Sequence, residues 1–180
     1  MNSRTLLEGA LLDLTIERLC YQLIENHGDF AQSCLVGVQP RGAVFAERLY
    51  RTLCAILPQQ NIGFGKLDVT FHRDDYRMHT RPLEAHPTDL TFSLDGKRVI
   101  LIDDVLYSGR TTRAALDALQ DYGRPAQIEF LCLVDRRFNR QLPIRPDYVG
   151  MTVDALNEAY VKVEWATPDS PDKVVFYEKR

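Results

Sequence analysis

The chain has 180 residues, 45% of them hydrophobic and 26% charged, an ordinary globular composition with enough chain for one domain and a full core. No apolar run approaches the roughly 20 residues needed to cross a bilayer, so no membrane partner is expected. The formal net charge of −3 neither suggests nor excludes nucleic acid.

The N-terminal MNSRTLLEGALLDL has neither a sustained apolar stretch nor an evident cleavage site, which predicts a cytoplasmic protein without a signal peptide. Leu12, Ile16, Leu19 and Leu23 mark one face of a first helix. Cys34 to Val38 reads as a buried strand, and Val44, Phe45, Leu49, Leu53 and Ile56 as the stripe of the helix after it. Leu67, Val69 and Phe71 alternate with polar residues, predicting a half-exposed strand. Residues 72–97 are polar and proline-marked, the signature of a lid or insert. Val99 to Ile102 is a strand buried on both faces. A helix follows with Ala115, Leu116, Leu119 and Tyr122 inward, stopped by Gly123 and Pro125. Ile128 to Val134 is another buried strand. From about Phe138 onward, short β-like runs at Tyr160 to Val163 and Val174 to Tyr177 predict a small hood, joined by the N-terminal segment.

This alternation predicts an α/β fold: a mostly parallel central sheet flanked by helices, with core about 12–136, lid about 72–97 and hood from about 138. Ligands in such folds bind outside the carboxyl ends of the strands. Cys20, Cys34, Cys54 and Cys132 show no close pairing and read as reduced thiols. His27, His72, His79 and His86 lack metal-ligand spacing and read as surface residues.

The richest stretch is VILIDDVLYSGRTT, residues 99–112. Val99, Ile100, Leu101 and Ile102 form the strand, Asp103 and Asp104 follow at its end, and Val105 and Leu106 lead into a turn. The turn is Tyr107, Ser108, Gly109, Arg110, Thr111 and Thr112. A helix start carries unpaired N–H groups and partial positive charge, so phosphate sits there readily. Gly109 lets the backbone approach an anion, and the hydroxyls of Ser108, Thr111 and Thr112 add donors. Two carboxylates would repel a bare phosphate but suit vicinal ribose hydroxyls, directly or through Mg²⁺. The pattern reads as a phosphorylated-sugar site. The plainer reading of the acids is that they cap neighbouring amides.

This segment resembles the phosphoribosyl diphosphate (PRPP) motif of type I phosphoribosyltransferases, in the wording of the pyrimidine operon attenuator/uracil phosphoribosyltransferase family. Val36 to Gly42 is similar to that family's pyrophosphate loop, Asp68 to Asp75 to its mobile loop, and Leu142 to Gly150 to a segment near its base site. The resemblance runs from about Leu12 to Lys179. It implies transfer of phosphoribose from PRPP to uracil, giving UMP and pyrophosphate with Mg²⁺. Asp103, Asp104, Arg41 and Arg73 would be catalytic, Pro40, Arg41 and Gly42 the pyrophosphate loop, and Val134, Asp135 and Arg136 the base-binding strand end. It further implies a cis peptide at Pro40–Arg41 and a homodimer or larger homo-oligomer. Arg73, Asp74 and Asp75 also read plainly as a solvated turn. After Arg136 the chain reads Arg137-Phe138-Asn139-Arg140-Gln141, where many relatives have a shorter Gly-His-Arg-Glu run.

The family's second activity is binding the leader of pyrimidine-operon mRNA, with UMP as co-ligand. Arg137, Arg140 and Arg145 are the candidates for RNA contact, within a basic region that includes Arg124 and Arg136. Glu17 and Tyr21 stand where RNA-binding relatives tend to have a hydroxyl and a histidine, and Met151 where a lysine is often found. Two alternatives stay open: an RNA-binding regulator with little turnover, and a phosphoribosyltransferase for orotate or a purine.

Overall fold

The computed structural model describes residues 2–74, 85–155, 159–166 and 171–178. In chain order the elements are β1 (Asn2–Glu8), α1 (Gly9–His27), β2 (Ser33–Val38), α2 (Arg41–Ile56), β3 (Gly63–Leu67), β4 (Arg98–Leu106), α3 (Arg110–Leu119), β5 (Gln127–Arg137), β6 (Tyr148–Asp154), β7 (Tyr160–Glu164) and β8 (Lys173–Glu178). Strands β3-β2-β4-β5-β6 form a parallel five-stranded sheet. Strands β1-β8-β7 form a separate antiparallel one.

The helices cover both faces of the parallel sheet, as its continuous apolar strands require. On one face Leu12, Ile16, Leu19 and Leu23 of α1 and Phe45, Leu49 and Leu53 of α2 pack with Ile100, Ile102 and Leu131, closed by Val161 and Val163 of the small sheet. On the other, Ala114, Ala115, Ala118 and Leu119 of α3 pack with Val36, Val99 and Leu101. Small alanines let α3 lie close to the strands, and Leu119 fills the end.

Four expectations need correction. The strand near residue 67 is Gly63–Leu67, and Thr70–His72 is a single 3₁₀ turn with Phe71 exposed. Asp68 ends that strand by accepting from the Thr70 amide at 3.3 Å and its hydroxyl at 2.7 Å, a local bond that competes with the ladder. Residues 148–154, expected in the hood, form β6 and pair with β5 from Leu131↔Tyr148 to Arg137↔Asp154. Residues 87–94, placed in the expected lid, are tied to the main fold. Asp89 bridges Lys66, Gln39 Nε2 donates to the Pro87 carbonyl at 2.6 Å, and Leu94 is fully buried. Part of the expected lid, including Asp75, His79 and Pro82, lies outside the described residues.

The fourth correction concerns His27, which is buried at the end of α1. Its Nε2 lies 2.8 Å from Glu129 Oε2, and its Nδ1 lies 2.8 Å from Ser33 Oγ. A carboxylate only accepts, so Nε2 carries the proton and Nδ1 accepts from the serine hydroxyl. Tyr148 Oη donates to the same Glu129 oxygen at 3.2 Å, and Arg98 Nη2 donates to the other at 3.0 Å. This network joins α1 to the starts of β2, β4 and β6 and to β5, far along the strands from the acidic motif. No sequence periodicity announces it, because its members are 6 to 121 residues apart.

Burial holds the His27 imidazole below its ordinary pKa, outweighing the attraction of Glu129. The unfolded chain therefore binds this proton more tightly than the folded one. Stability from His27 is complete above about pH 6.5 and is lost as pH falls below it. Melting curves from about pH 7.5 to 5.5 should show a stability loss that His27→Gln reduces; an unchanged slope would clear His27 as its source.

Candidate active site

Strand β4 runs on through the acidic pair, so Asp103 and Asp104 lie inside it and are 8% and 6% exposed. Pairing with β5 continues alongside, through Asp103↔Cys132, Val105↔Val134 and Leu106↔Asp135. Ladder hydrogen bonds on that side hold the acids in a rigid frame. Val99, Ile100, Leu101 and Ile102 are completely buried and serve the motif by positioning it rather than by touching a ligand.

The turn after β4 opens α3. Gly109 sits at the N-cap with φ 90°, the left-handed region that favours glycine. A side chain there would also meet Ile144 at 3.0 Å and Leu142 at 3.4 Å. The Gly109 carbonyl accepts the first helical bond from Arg113 N–H at 2.9 Å, and the Arg110 amide donates to Ser108 Oγ at 3.4 Å, which leaves the Thr111 and Thr112 amides as helix-start donors without an intrahelical partner. A cleft of about 220 Å³ lies over this turn, lined by Asp103, Val105 through Thr112, Arg73 and Asp74. Arg110 donates to Asp74 and, through Nε, to Gln141 Oε1 at 2.6 Å.

Across the sheet from the turn, Arg41 opens α2 and Pro40 is its N-cap. A Cβ on Gly42 would lie 2.7 Å from the Ile102 carbonyl oxygen and 2.9 Å from Asp103 Cα and Oδ1. Only glycine lets α2 start this close to β4, which brings Arg41's charge to bear on both acids. The cis peptide here is Gln39–Pro40, one bond before the expected Pro40–Arg41.

The strand end expected to line a base is divided in its roles. Val134 is completely buried in the main core and presents no side chain outward. Asp135 accepts from Arg140 Nη2. Arg136 is 6% exposed, with its guanidinium 4.1 Å from the Tyr107 ring centroid and Nη2 donating to the Ala159 carbonyl at 2.7 Å. Among the arginines expected at RNA, Arg137 is paired with Asp154 at 2.6 Å, Arg140 with Asp135, and Arg145 is exposed.

With this geometry in view, kinship becomes informative. The phosphoribosyl transferase domain model matches residues 4–168. The chain belongs to the type I phosphoribosyltransferase family. Its sequence is 42% identical over 176 residues to a protein named bifunctional protein PyrR from Desulfosudis oleivorans, covering 97% of each chain. It is 39% identical to a PyrR of Listeria monocytogenes, covering 96% of this chain and 95% of the relative. Among solved structures, the hypoxanthine phosphoribosyltransferase of Trypanosoma cruzi superposes with TM-score 0.71 at 17% identity, covering 96% of this chain and 95% of that one. A Staphylococcus aureus hypoxanthine phosphoribosyltransferase gives 0.65 at 22% identity, covering 83% and 77%. At that identity the structures speak for the fold alone, and both share it with this phosphoribosyltransferase.

The electrostatics of this phosphoribosyltransferase's acid pair are distinctive. Burial, then repulsion from Asp104, raises the Asp103 carboxyl well above the ordinary range. Burial also raises Asp104, against the pull of Arg41. Asp103 Oδ1 accepts from the Asp104 amide at 2.9 Å, and Asp104 Oδ2 is buried with no partner. A buried unpartnered carboxylate oxygen costs about 1–3 kcal/mol or more when charged.

Sequence reasoning missed Tyr107 as a partner of Arg136, and Arg140 and Gln141 as partners of the turn. Their only sequence signal is a local excess of arginine, which reads equally well as a nucleic-acid surface.

A raised carboxyl pKa lowers stability above the ordinary range near pH 4 and costs nothing below it. Asp103→Asn keeps the Oδ1 acceptor and removes the charge. It should raise the melting temperature at pH 8 by roughly 2–4 °C for a chain of this size, with the gain vanishing toward pH 4, and should sharply weaken PRPP binding. A variant no more stable than its parent at pH 8 would contradict the electrostatic cost assigned to the pair.

Proposed function

We propose that this phosphoribosyltransferase makes UMP and pyrophosphate from uracil and PRPP. The observation that carries the reading is the cleft over the β4–α3 turn, which joins an acid-bearing strand end to a phosphate-ready helix start. Full-length kinship to PyrR proteins favours a pyrimidine over the purine bases named for the structural neighbours.

In this reading the 5′-phosphate lies on the amides and hydroxyls of the turn from Ser108 to Thr112. The ribose hydroxyls donate to the acid pair at the strand end, of which Asp103 lines the cleft. Arg41, with the amide of Gly42, holds the pyrophosphate as it departs, and Arg73, which lines the cleft, excludes water. A uracil nitrogen forms the new bond at the anomeric carbon while the bond to pyrophosphate breaks, through an oxocarbenium-like transition state. Chemistry of this kind calls for positioning and charge stabilisation, not a covalent nucleophile.

A divalent cation such as Mg²⁺ suits this donor set. Among the described residues no group of three or more acidic, histidine or cysteine side chains forms a cage. Asp103 and Asp104 would therefore hold the ion together with substrate oxygens, the arrangement Mg²⁺ prefers. When bound, it would neutralise charge on the leaving pyrophosphate. The free cysteines suit a reducing, cytoplasmic setting.

Regulation through leader RNA is the second half of this reading and rests on kinship to proteins named bifunctional. The surface supplies little for it: Arg137 and Arg140 are neutralised by Asp154 and Asp135, Arg145 is exposed, and on α1 Arg18 stands between Glu17 and Glu25. RNA affinity should therefore be low with a shallow salt dependence, since few phosphates are neutralised, as filter binding with a pyrimidine-operon leader would reveal.

The deciding assay is pyrophosphate release from PRPP and Mg²⁺ with uracil, orotate, hypoxanthine and guanine in parallel. Turnover is expected with uracil. Turnover with another base alone would overturn the acceptor assignment, and silence with all four would favour a regulator with little turnover. Thr111→Val should raise the KM for PRPP about tenfold, the scale of one lost hydrogen bond to a charged group, with a smaller effect on the KM for uracil. An unaltered PRPP KM would remove Thr111 from the phosphate cradle.

A further inference from the structure

The phosphate turn is held from its far side by the connection between β5 and β6. Phe138 follows β5 with φ 74°, a left-handed conformation costly for an aromatic residue and found where the surrounding structure demands it. The reversal there sends the chain back over the turn. Arg140 Nη1 donates to the Tyr107 carbonyl while Nη2 donates to Asp135. The amides of Gln141 and Leu142 both donate to the Ser108 carbonyl, at 3.0 and 3.2 Å. Gln141 Oε1 accepts from Arg110 Nε, and Leu142 and Ile144 pack on Gly109. Three successive residues of the turn thus have partners in 140–144, and a fourth, Arg110, is bonded by Gln141.

Carbonyls that point away from the ligand and are bonded behind the turn leave the amides aimed at it. This is the pre-organisation that anion binding needs, since a loose loop would lose entropy on closing round phosphate. Arg140 reaches both this turn and Asp135, at the strand end expected to line the base. A planar guanidinium with donors on two nitrogens can hold both acceptors at once, and an ammonium on a flexible stem cannot hold them in fixed geometry.

We infer that Arg140 is a positioning residue of this phosphoribosyltransferase, clamping the phosphate turn to the base-side strand end through Tyr107 and Asp135, and is not an RNA contact. The inference rests on the donor-site half of the proposed function, not on the identity of the base. The clamp makes the turn's geometry depend on the strand end, so loss of either partner should loosen the turn to a similar extent.

The test uses the full chain and PRPP with Mg²⁺, followed by calorimetric binding and, with an active acceptor base, by kinetics. Arg140→Met should weaken PRPP binding about tenfold, the scale of losing charge-assisted hydrogen bonds, raising the PRPP KM more than it lowers kcat. Arg140→Lys should recover only part of that affinity. Asp135→Asn should also weaken PRPP, and combining it with Arg140→Met should add little beyond the single changes. A fall in melting temperature with unchanged PRPP affinity in both Arg140 variants would mean a merely structural pair and would overturn the inference. Loss of leader-RNA binding with unchanged PRPP affinity would overturn it in favour of an RNA contact. If no base is turned over, PRPP calorimetry still reads the clamp, which separates its failure from that of the uracil assignment.

Discussion

Strand β4 is hydrogen-bonded on both sides, to β2 and to β5, and this double pairing is the constraint on which the site depends. Parallel ladders keep their register only where both faces of the strand are buried, and Val99 through Ile102 supply that burial completely. Because the ladder to β5 continues past them to Leu106, the two acids inherit the rigidity of the sheet. The turn that follows is then placed relative to the acids by the strand rather than by a loop. A ligand spanning a phosphate and vicinal hydroxyls can find both ends already at a set separation.

That placement has a cost which the rest of the fold carries. Two neighbouring carboxyls inside a strand are raised by burial and, for Asp103, by its neighbour's charge, so the unliganded site is less stable than an apolar one would be. Arg41 offsets part of this from the start of α2, and only the missing side chain of Gly42 allows that helix to come so near. Helix start, glycine and acid pair form one electrostatic unit drawn from two crossovers. This is the arrangement expected where strain and charge serve a ligand.

The opposite ends of the strands show the contrasting case. Around Glu129, each hydrogen-bonding group of His27 and the tyrosine hydroxyl of Tyr148 finds a partner, with Arg98 completing the carboxylate. This buried network, bonded at His27, Tyr148 and Glu129 but leaving Arg98 Nε without a partner, specifies how α1 and four strands meet. Each end of the sheet keeps one buried polar atom without a partner, Arg98 Nε here and Asp104 Oδ2 at the acid pair, but at this end both oxygens of the Glu129 carboxylate are bonded.

Much of this was readable from the chain alone. The period of Leu12, Ile16, Leu19 and Leu23, the apolar block before the acids and the Ser-Gly-Arg-Thr-Thr turn are local patterns, and local patterns are governed by backbone geometry and burial within a few residues. They determined the strand–helix alternation, the parallel sheet and the glycine-bearing turn that opens α3. What the tertiary structure decided is where distant residues meet: β6 inside the main sheet, His27 in a buried network, and Arg140 on the Tyr107 carbonyl instead of a free basic surface. Those pairings join residues 17 to 121 positions apart, counting from β5 to β6 and from His27 to Tyr148. A charged or imidazole side chain has the same sequence signature exposed or buried, and only the packing around it settles which partner satisfies it.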